Sequence, residues 1–194
     1  MRSVDIMKPL RSFVPPLAAM LLAAGGGAHA QGVLIDKSEI RFVSKQQGVN
    51  VEGRFRKWKA NIDFRPKELA KSKAEVEVEL ASIDLASDAS ERETTRALWF
   101  DTPRFPIAKF VSTSIAATGP DRYAIAGTLS MKGIAKDVVV PIAVKNDATG
   151  NTVAEGQFTI KRLEFNVGEG LWSDTDAIAN DVSIRIRMVL PPLS

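Results

Sequence analysis

Cysteine is absent from the 194-residue sequence, and histidine occurs once, at His29. Without cysteine there is no disulfide framework and no thiol nucleophile or ligand, so an exported domain of this kind must be stabilised by its core alone. The single histidine lies in what reads as a removable leader. The rest of the chain therefore excludes Ser-His-Asp and Cys-His mechanisms and the usual zinc, copper and haem sites. Carboxylate pairs and Ser-Lys arrangements survive that exclusion. However, Ser130-Met131-Lys132 lacks the two-residue spacing of a Ser-x-x-Lys pair, and Glu75, Glu77 and Glu79 read as a solvated strand face. The expectation is a protein that is not an enzyme and carries no cofactor and no metal.

A long hydrophobic run is also missing. Arg2, Lys8 and Arg11 make a basic start, the apolar stretch from Ser12 to Ala24 is too short to span a bilayer, and Ala28-His29-Ala30 offers small residues at the positions a signal peptidase reads. Residues 1–30 are read as a signal peptide cleaved near Ala30, which predicts a periplasmic or secreted protein, with an uncleaved anchor as the alternative. Charge of one sign is scarce too. Losing Arg2, Lys8, Arg11 and Asp5 takes 26 basic and 23 acidic side chains to 23 and 22. Such a balance creates no field to steer a polyanion, so no nucleic-acid partner is expected. No repeat or Ser/Gly-rich linker divides residues 31–194, which read as one domain.

What is present is period-two alternation. From Ala74 to Ile83, Val76, Val78 and Leu80 fall on one face and the three glutamates on the other, the pattern of a strand with one dry side. Val182 to Met188, Phe158 to Arg162, Tyr123 to Met131, Ile40 to Ser44 and Val49 to Trp58 repeat it. Turn residues at Thr118-Gly119-Pro120-Asp121, Lys132-Gly133 and Asn146 to Asn151 separate the runs at hairpin spacing. Arg65-Pro66 suggests one helical turn, and Ser90-Glu91-Arg92-Glu93 reads as a capping box opening a helix through about Phe100. The predicted fold is all-β, an eight-stranded antiparallel barrel with one or two short helices. A barrel of that size is either filled by side chains or holds one ligand.

Three local motifs point weakly elsewhere. Gly168-Glu169-Gly170 lacks the third glycine and the βαβ setting of a dinucleotide loop and reads as turn glycine. Asp174 and Asp176 sit in a polar loop that departs from the EF-hand pattern. Arg54-Phe55-Arg56-Lys57-Trp58-Lys59 interleaves basic and aromatic groups, but in a near-neutral exported domain it reads as a strand with Phe55 inside and cations outside.

Three blocks, in order, carry a resemblance: Arg92 to Asp101 followed by Phe105-Pro106-Ile107-Ala108-Lys109-Phe110; Leu129 to Val138; and Ile160 to Phe165 with Val167 to Thr175 and Asn180-Asp181-Val182. Together they resemble the YceI-like family of exported lipid-binding proteins over essentially all of Val33 to Leu190. The resemblance implies a lipocalin-like barrel holding the tail of an isoprenoid lipid, a polyprenyl phosphate or an isoprenoid quinone, for sequestration or transport. The expected tail-cavity residues are Phe42, Phe55, Phe110, Phe158, Phe165 and Ile184, with Arg92 and Arg162 as candidates for a headgroup. Two other readings stand beside this one. The first is a quinone-presenting accessory that contacts a membrane surface or membrane redox protein through Arg54, Arg56, Lys57 and Lys59. The second is a ligand-free structural or stress-protective interaction domain. Oligomeric state is open, a dimer included.

Overall fold

The structure is a computed structural model that describes residues 31–192; the expected leader lies outside the described residues. Eleven strand segments form one antiparallel sheet: β1 (Gln31–Gly32), β2 (Glu39–Gln46), β3 (Val49–Phe55), β4 (Trp58–Asp63), β5 (Lys73–Glu79), β6 (Ile83–Asp84), β7 (Ile107–Gly119), β8 (Arg122–Met131), β9 (Ile134–Asn146), β10 (Thr152–Lys161) and β11 (Asp181–Leu190). The eleven exceed the expected eight because two physical strands are kinked. β3 and β4 are one run interrupted at Arg56-Lys57, and β5 and β6 are one run interrupted by a 3-10 turn over Leu80–Ser82. Bonds from Arg56 N to Ser82 O (2.9 Å) and from Glu79 N to Lys57 O (3.0 Å) carry the pairing across both kinks. Since β3 pairs β2 and β6 while β4 pairs β5, the ladder returns to its start and the sheet curls into a barrel. Closure leaves few free edges for another chain to extend.

The turns follow their residues. Lys132 and Gly133, with φ of 49° and 76°, connect β8 to β9, the two positive values that a tight hairpin needs to match strand twist. Among the described residues there is one α-helix, α1 (Asp88–Thr94), which begins three residues earlier than expected and ends before Phe100. Ser87, not Ser90, is its cap, accepting from Ser90 N, while the Glu91 carboxylate accepts from Leu85 N (3.0 Å). Thr94 and Thr95 turn their hydroxyls onto the carbonyls of Glu91 and Arg92, and the chain folds back with Phe100 N bonded to Thr94 O. At Arg65 the expected helical turn is a β-turn, Glu68 N to Arg65 O, followed by a 3-10 turn over Leu69–Lys71.

One end of the barrel carries α1, the β2–β3 and β8–β9 turns and the long segment between β10 and β11. The opposite end carries the β9–β10 turn, where Asp147 accepts from Thr149 N, Thr149 Oγ1, Asn151 N and Asn151 Nδ2 at 2.7–3.0 Å. These donors hold its carboxyl well below the usual carboxylate range, the side-chain bonds from Thr149 and Asn151 being the main cause. A depressed carboxylate pKa adds stability that is complete above the unfolded-state value of about 3.9 and is lost only as pH falls through the lower folded value. Asp147→Ala is thus expected to lower the melting temperature at pH 7 by an amount that persists to about pH 4 and shrinks in stronger acid. Thermal melts of both proteins across that range measure it.

Candidate functional site

Side chains on alternate positions of every long strand face inward: Phe42 and Ser44 on β2, Val76 and Val78 on β5, Ile125 and Leu129 on β8, Phe158 and Ile160 on β10, Ile184 and Ile186 on β11. They do not meet. Between them lies a cavity of about 530 Å³ with almost wholly apolar walls. At roughly 24 cal/mol per Å³ of unfilled core, a void of that size forfeits about 13 kcal/mol of packing, as much as the whole net stability of an ordinary domain. A packing fault of that scale would not be tolerated, so the hollow is a feature that the strands are built to hold open.

Inward-facing glycines show how it is held open. A methyl group added at Gly53 would fall 2.4 Å from the Phe42 ring, at Gly127 2.6 Å from the Phe110 ring, and at Gly156 2.5 Å from the Ile142 side chain. Lacking a Cβ, each glycine lets the neighbouring strand's large side chain lie flat on the sheet instead of projecting into the lumen. Phe55 stacks between Phe42 and Phe100, with centroids at 5.7 and 6.4 Å, and Phe64 meets Tyr123 edge-on at 5.1 Å at the opposite end.

The mouth is identified by exposure. Of the wall residues only Gln46, Ala89 and Ser90 are exposed, the rest being buried or half-buried. They place the opening where α1 faces the end of β2, beside Trp172 and Ile178. Ile178 bridges Gln46, and Ala179 N bonds Lys45 O (2.9 Å), so the segment between β10 and β11 is tied to the β2–β3 hairpin. Trp172 stacks against Trp99 at 5.7 Å.

Phe42, Phe55, Phe110, Phe158 and Ile184 stand on the cavity wall. Phe165 does not. β9 and β10 pair only from Ile142–Asn146 to Thr152–Gly156 and diverge beyond. Phe165, in the 3-10 turn after β10, helps fill that wedge at 1% exposure, packed with Leu80, Ala108, Met131 and Val167. Arg92 is exposed on α1 and is not part of the cavity wall. Arg162 does reach it, at 3% exposure, but its five N–H groups are already spent on backbone carbonyls: Nε on Ala179, Nη1 on Val167 and Gly168, Nη2 on Trp172 and Ile178, all at 2.7–3.1 Å. No donor is left for a phosphate. Burial alone pushes this guanidinium's pKa down. Its work is to hold the mouth segment.

The other candidates resolve in the same way. Arg54 and Arg56 pair with Asp84, Arg56 also with Glu91, Lys57 with Glu79 and Lys59 with Glu77, so the basic stretch presents little uncompensated charge. Asp174 accepts from Asp176 N (2.9 Å) in a local turn, and among the described residues no group of three His, Cys, Asp or Glu side chains converges to hold a metal. Gly168 and Gly170, with φ of 75° and 59°, are turn glycines.

The model of the YceI-like domain matches residues 33–190. The chain belongs to the YceI-like family. A UPF0312 protein of Azotobacter vinelandii is 28% identical over 178 residues, covering 87% of this chain and 93% of that protein. A second, from Shewanella denitrificans, is 32% identical over 132 residues, 68% of this chain and 61% of the relative. Among solved structures, Burkholderia cenocepacia BcnA superimposes with a TM-score of 0.78 at 37% identity, covering 81% of this chain and 98% of BcnA. A polyisoprenoid-binding domain from Saccharophagus degradans shares the fold alone, with a TM-score of 0.68 at 14% identity over 84% of this chain and 99% of that domain. The wall aromatics outside the expected set are Phe64, Trp99, Phe100, Tyr123 and Trp172; all but Tyr123 lie outside the strands, where no period assigns a face, and Tyr123 stands in phase with Ile125 on β8.

Proposed function

We propose that this protein is a non-enzymatic carrier that binds the isoprenoid tail of a lipid in the barrel lumen, in the periplasm or outside the cell after loss of a leader ending near Ala30. The hollow apolar lumen carries this reading; a filled barrel would have favoured a ligand-free interaction domain. The binding of a polyisoprenoid by the Saccharophagus degradans domain of the same fold supports it. A cavity of about 530 Å³ lies in the range of sites that enclose a small organic ligand. Burying one five-carbon unit is worth about 4 kcal/mol relative to water, at about 0.8 kcal/mol per carbon. The true competitor is a bilayer, which solvates the same tail. Net capture must then come from fit, and the lipid is exchanged instead of being held permanently. With the donors of Arg162 spent, the lumen favours a neutral quinone over a polyprenyl phosphate.

The test is to express the precursor in a bacterial host, purify the exported protein without denaturation, extract it with organic solvent and identify retained lipid by mass spectrometry, reading the N-terminus from the same sample. Stoichiometric isoprenoid lipid on a chain beginning at Gln31 is expected. An empty protein that also refuses added quinone and polyprenol would defeat the proposal. Ile184 sits mid-wall, in register with Phe42 on β2 and Phe158 on β10. Ile184→Trp, growing into the hollow, is expected to keep the fold and to lower retained lipid at least about tenfold, a loss of about 1.4 kcal/mol.

A further inference from the structure

Isolated aliphatic side chains stand exposed beside the mouth. Leu171 is 91% exposed in the 3-10 turn Gly170–Trp172, next in sequence to the wall residue Trp172. Val49, 67% exposed, opens β3 directly opposite Gln46, one of the three exposed wall residues. Leu98, 39% exposed, lies against Gly170, within 3.6 Å of where a Cβ on that glycine would sit. Single exposed apolar groups are common on protein surfaces, and Val139, 59% exposed, stands alone on β9; Val49, Leu98 and Leu171 differ in coming from three separate segments that meet round one opening.

The geometry points to this rim as a docking surface for a phospholipid bilayer, into which Val49, Leu98 and Leu171 dip so that a tail passes between membrane and lumen without crossing water. The inference rests on the carrier reading above. The chemistry of the cargo favours a bilayer as the occupant. Every five-carbon unit exposed to water in transit raises the barrier, so a carrier of such tails must open against the phase that holds them. The charges nearby favour a neutral surface. Exposed Lys45, Arg92 and Arg96 are interspersed with exposed Asp88, Asp174 and Asp176, leaving no single-signed patch to seek anionic headgroups. The paired cations on β3 and β4 lie on the outer wall and take no part. Docking driven by a few aliphatic tips is weak and reversible, which suits exchange.

The experiment uses the full exported protein, phosphatidylcholine donor vesicles carrying an isoprenoid quinone, and phosphatidylcholine acceptors without it. Farnesol binding, read from the fluorescence of Trp99 and Trp172, serves as a membrane-free control. The wild type is expected to speed transfer in proportion to vesicle concentration and with little dependence on salt. Leu171→Asp and Val49→Asp are each expected to slow transfer at least about tenfold with farnesol affinity unchanged. Leu171→Gln, which adds no charge, should fall between. Transfer by Leu171→Asp at the wild-type rate would overturn the inference. So would a rate independent of vesicle concentration, which means release through water, or a wild-type dimer that Leu171→Asp splits while neither form binds vesicles, which makes the rim a self-interface. Failure of the wild type to bind farnesol at all would overturn the carrier reading itself, and the docking with it.

Discussion

Replacing Arg162 by alanine is expected to lower the unfolding free energy by about 3–5 kcal/mol, and the melting temperature by roughly 6–20 °C, because several buried acceptors lose their donors at once. Arg162 holds the alternating phase of β10, in line with Phe158 and Ile160, and so points inward at the crowded end of the barrel. There it meets carbonyls from Val167, Gly168, Trp172, Ile178 and Ala179, spread over a segment with little regular structure. Five acceptors in that many directions match the planar fork of a guanidinium and no other side chain. An ammonium cannot reproduce this geometry: with three donors on a rotating head, Arg162→Lys leaves at least two carbonyls unpaired and should recover less than half of the loss. Lys132 makes the second tie, bonding Asn166 O (2.5 Å) and Glu169 (3.0 Å) from the β8–β9 turn. Because Trp172 and Ile178 also wall the mouth, lipid retention should fall with stability in the Arg162 variants. Calorimetry and lipid extraction on the same preparations check both. An alanine variant melting within about 2 °C of the wild type would show that the segment is held by other contacts.

The barrel was legible because alternation is strict where strands are long. Val76, Val78 and Leu80 face the interior with their glutamate neighbours outside, and Val182 to Met188 alternates as read. The same rule applied one step further would have placed Arg162 inside, two positions beyond Ile160. Phe165 was misassigned because regular pairing ends at Lys161; past that point the chain turns and Asn166 adopts a left-handed conformation, so position no longer predicts face. The helix boundary moved for a local reason: threonine hydroxyls at 94 and 95 compete for the carbonyls that would extend α1. Whether the barrel was hollow or full could not be read from alternation, since both require the same inward apolar residues. That answer lay in inward-facing glycines packed against large side chains of the neighbouring strands, contacts that become visible only once strand register is known.

Those glycines support a second large effect. Gly53→Ala puts a methyl 2.4 Å from Phe42 Cζ and 2.9 Å from Asp84 O; Gly127→Ala puts one 2.5 Å from Val111 O and 2.6 Å from the Phe110 ring. Overpacking of this kind costs typically about 1–3 kcal/mol when side chains can give way and more when backbone must move. At Gly53 the closest obstacle is the end of a ring beside open space. The ring should swing into the lumen, so lipid affinity falls at least about tenfold while stability drops only modestly. Pairing Gly53→Ala with Phe42→Leu removes most of the clash and should restore stability and part of the binding. At Gly127 the closest obstacle is a carbonyl within the β7–β8 ladder, where the register already shifts between Ser112 and Ser114. Gly127→Ala is therefore expected to be the more destabilising of the two, and Phe110→Leu should not rescue it. Melting temperatures of the four single and double variants, with lipid content measured in parallel, separate the cases. Equal rescue at both sites would mean that the sheet yields as readily as a side chain, and that at Gly127 too the ring, not the carbonyl, is the obstacle.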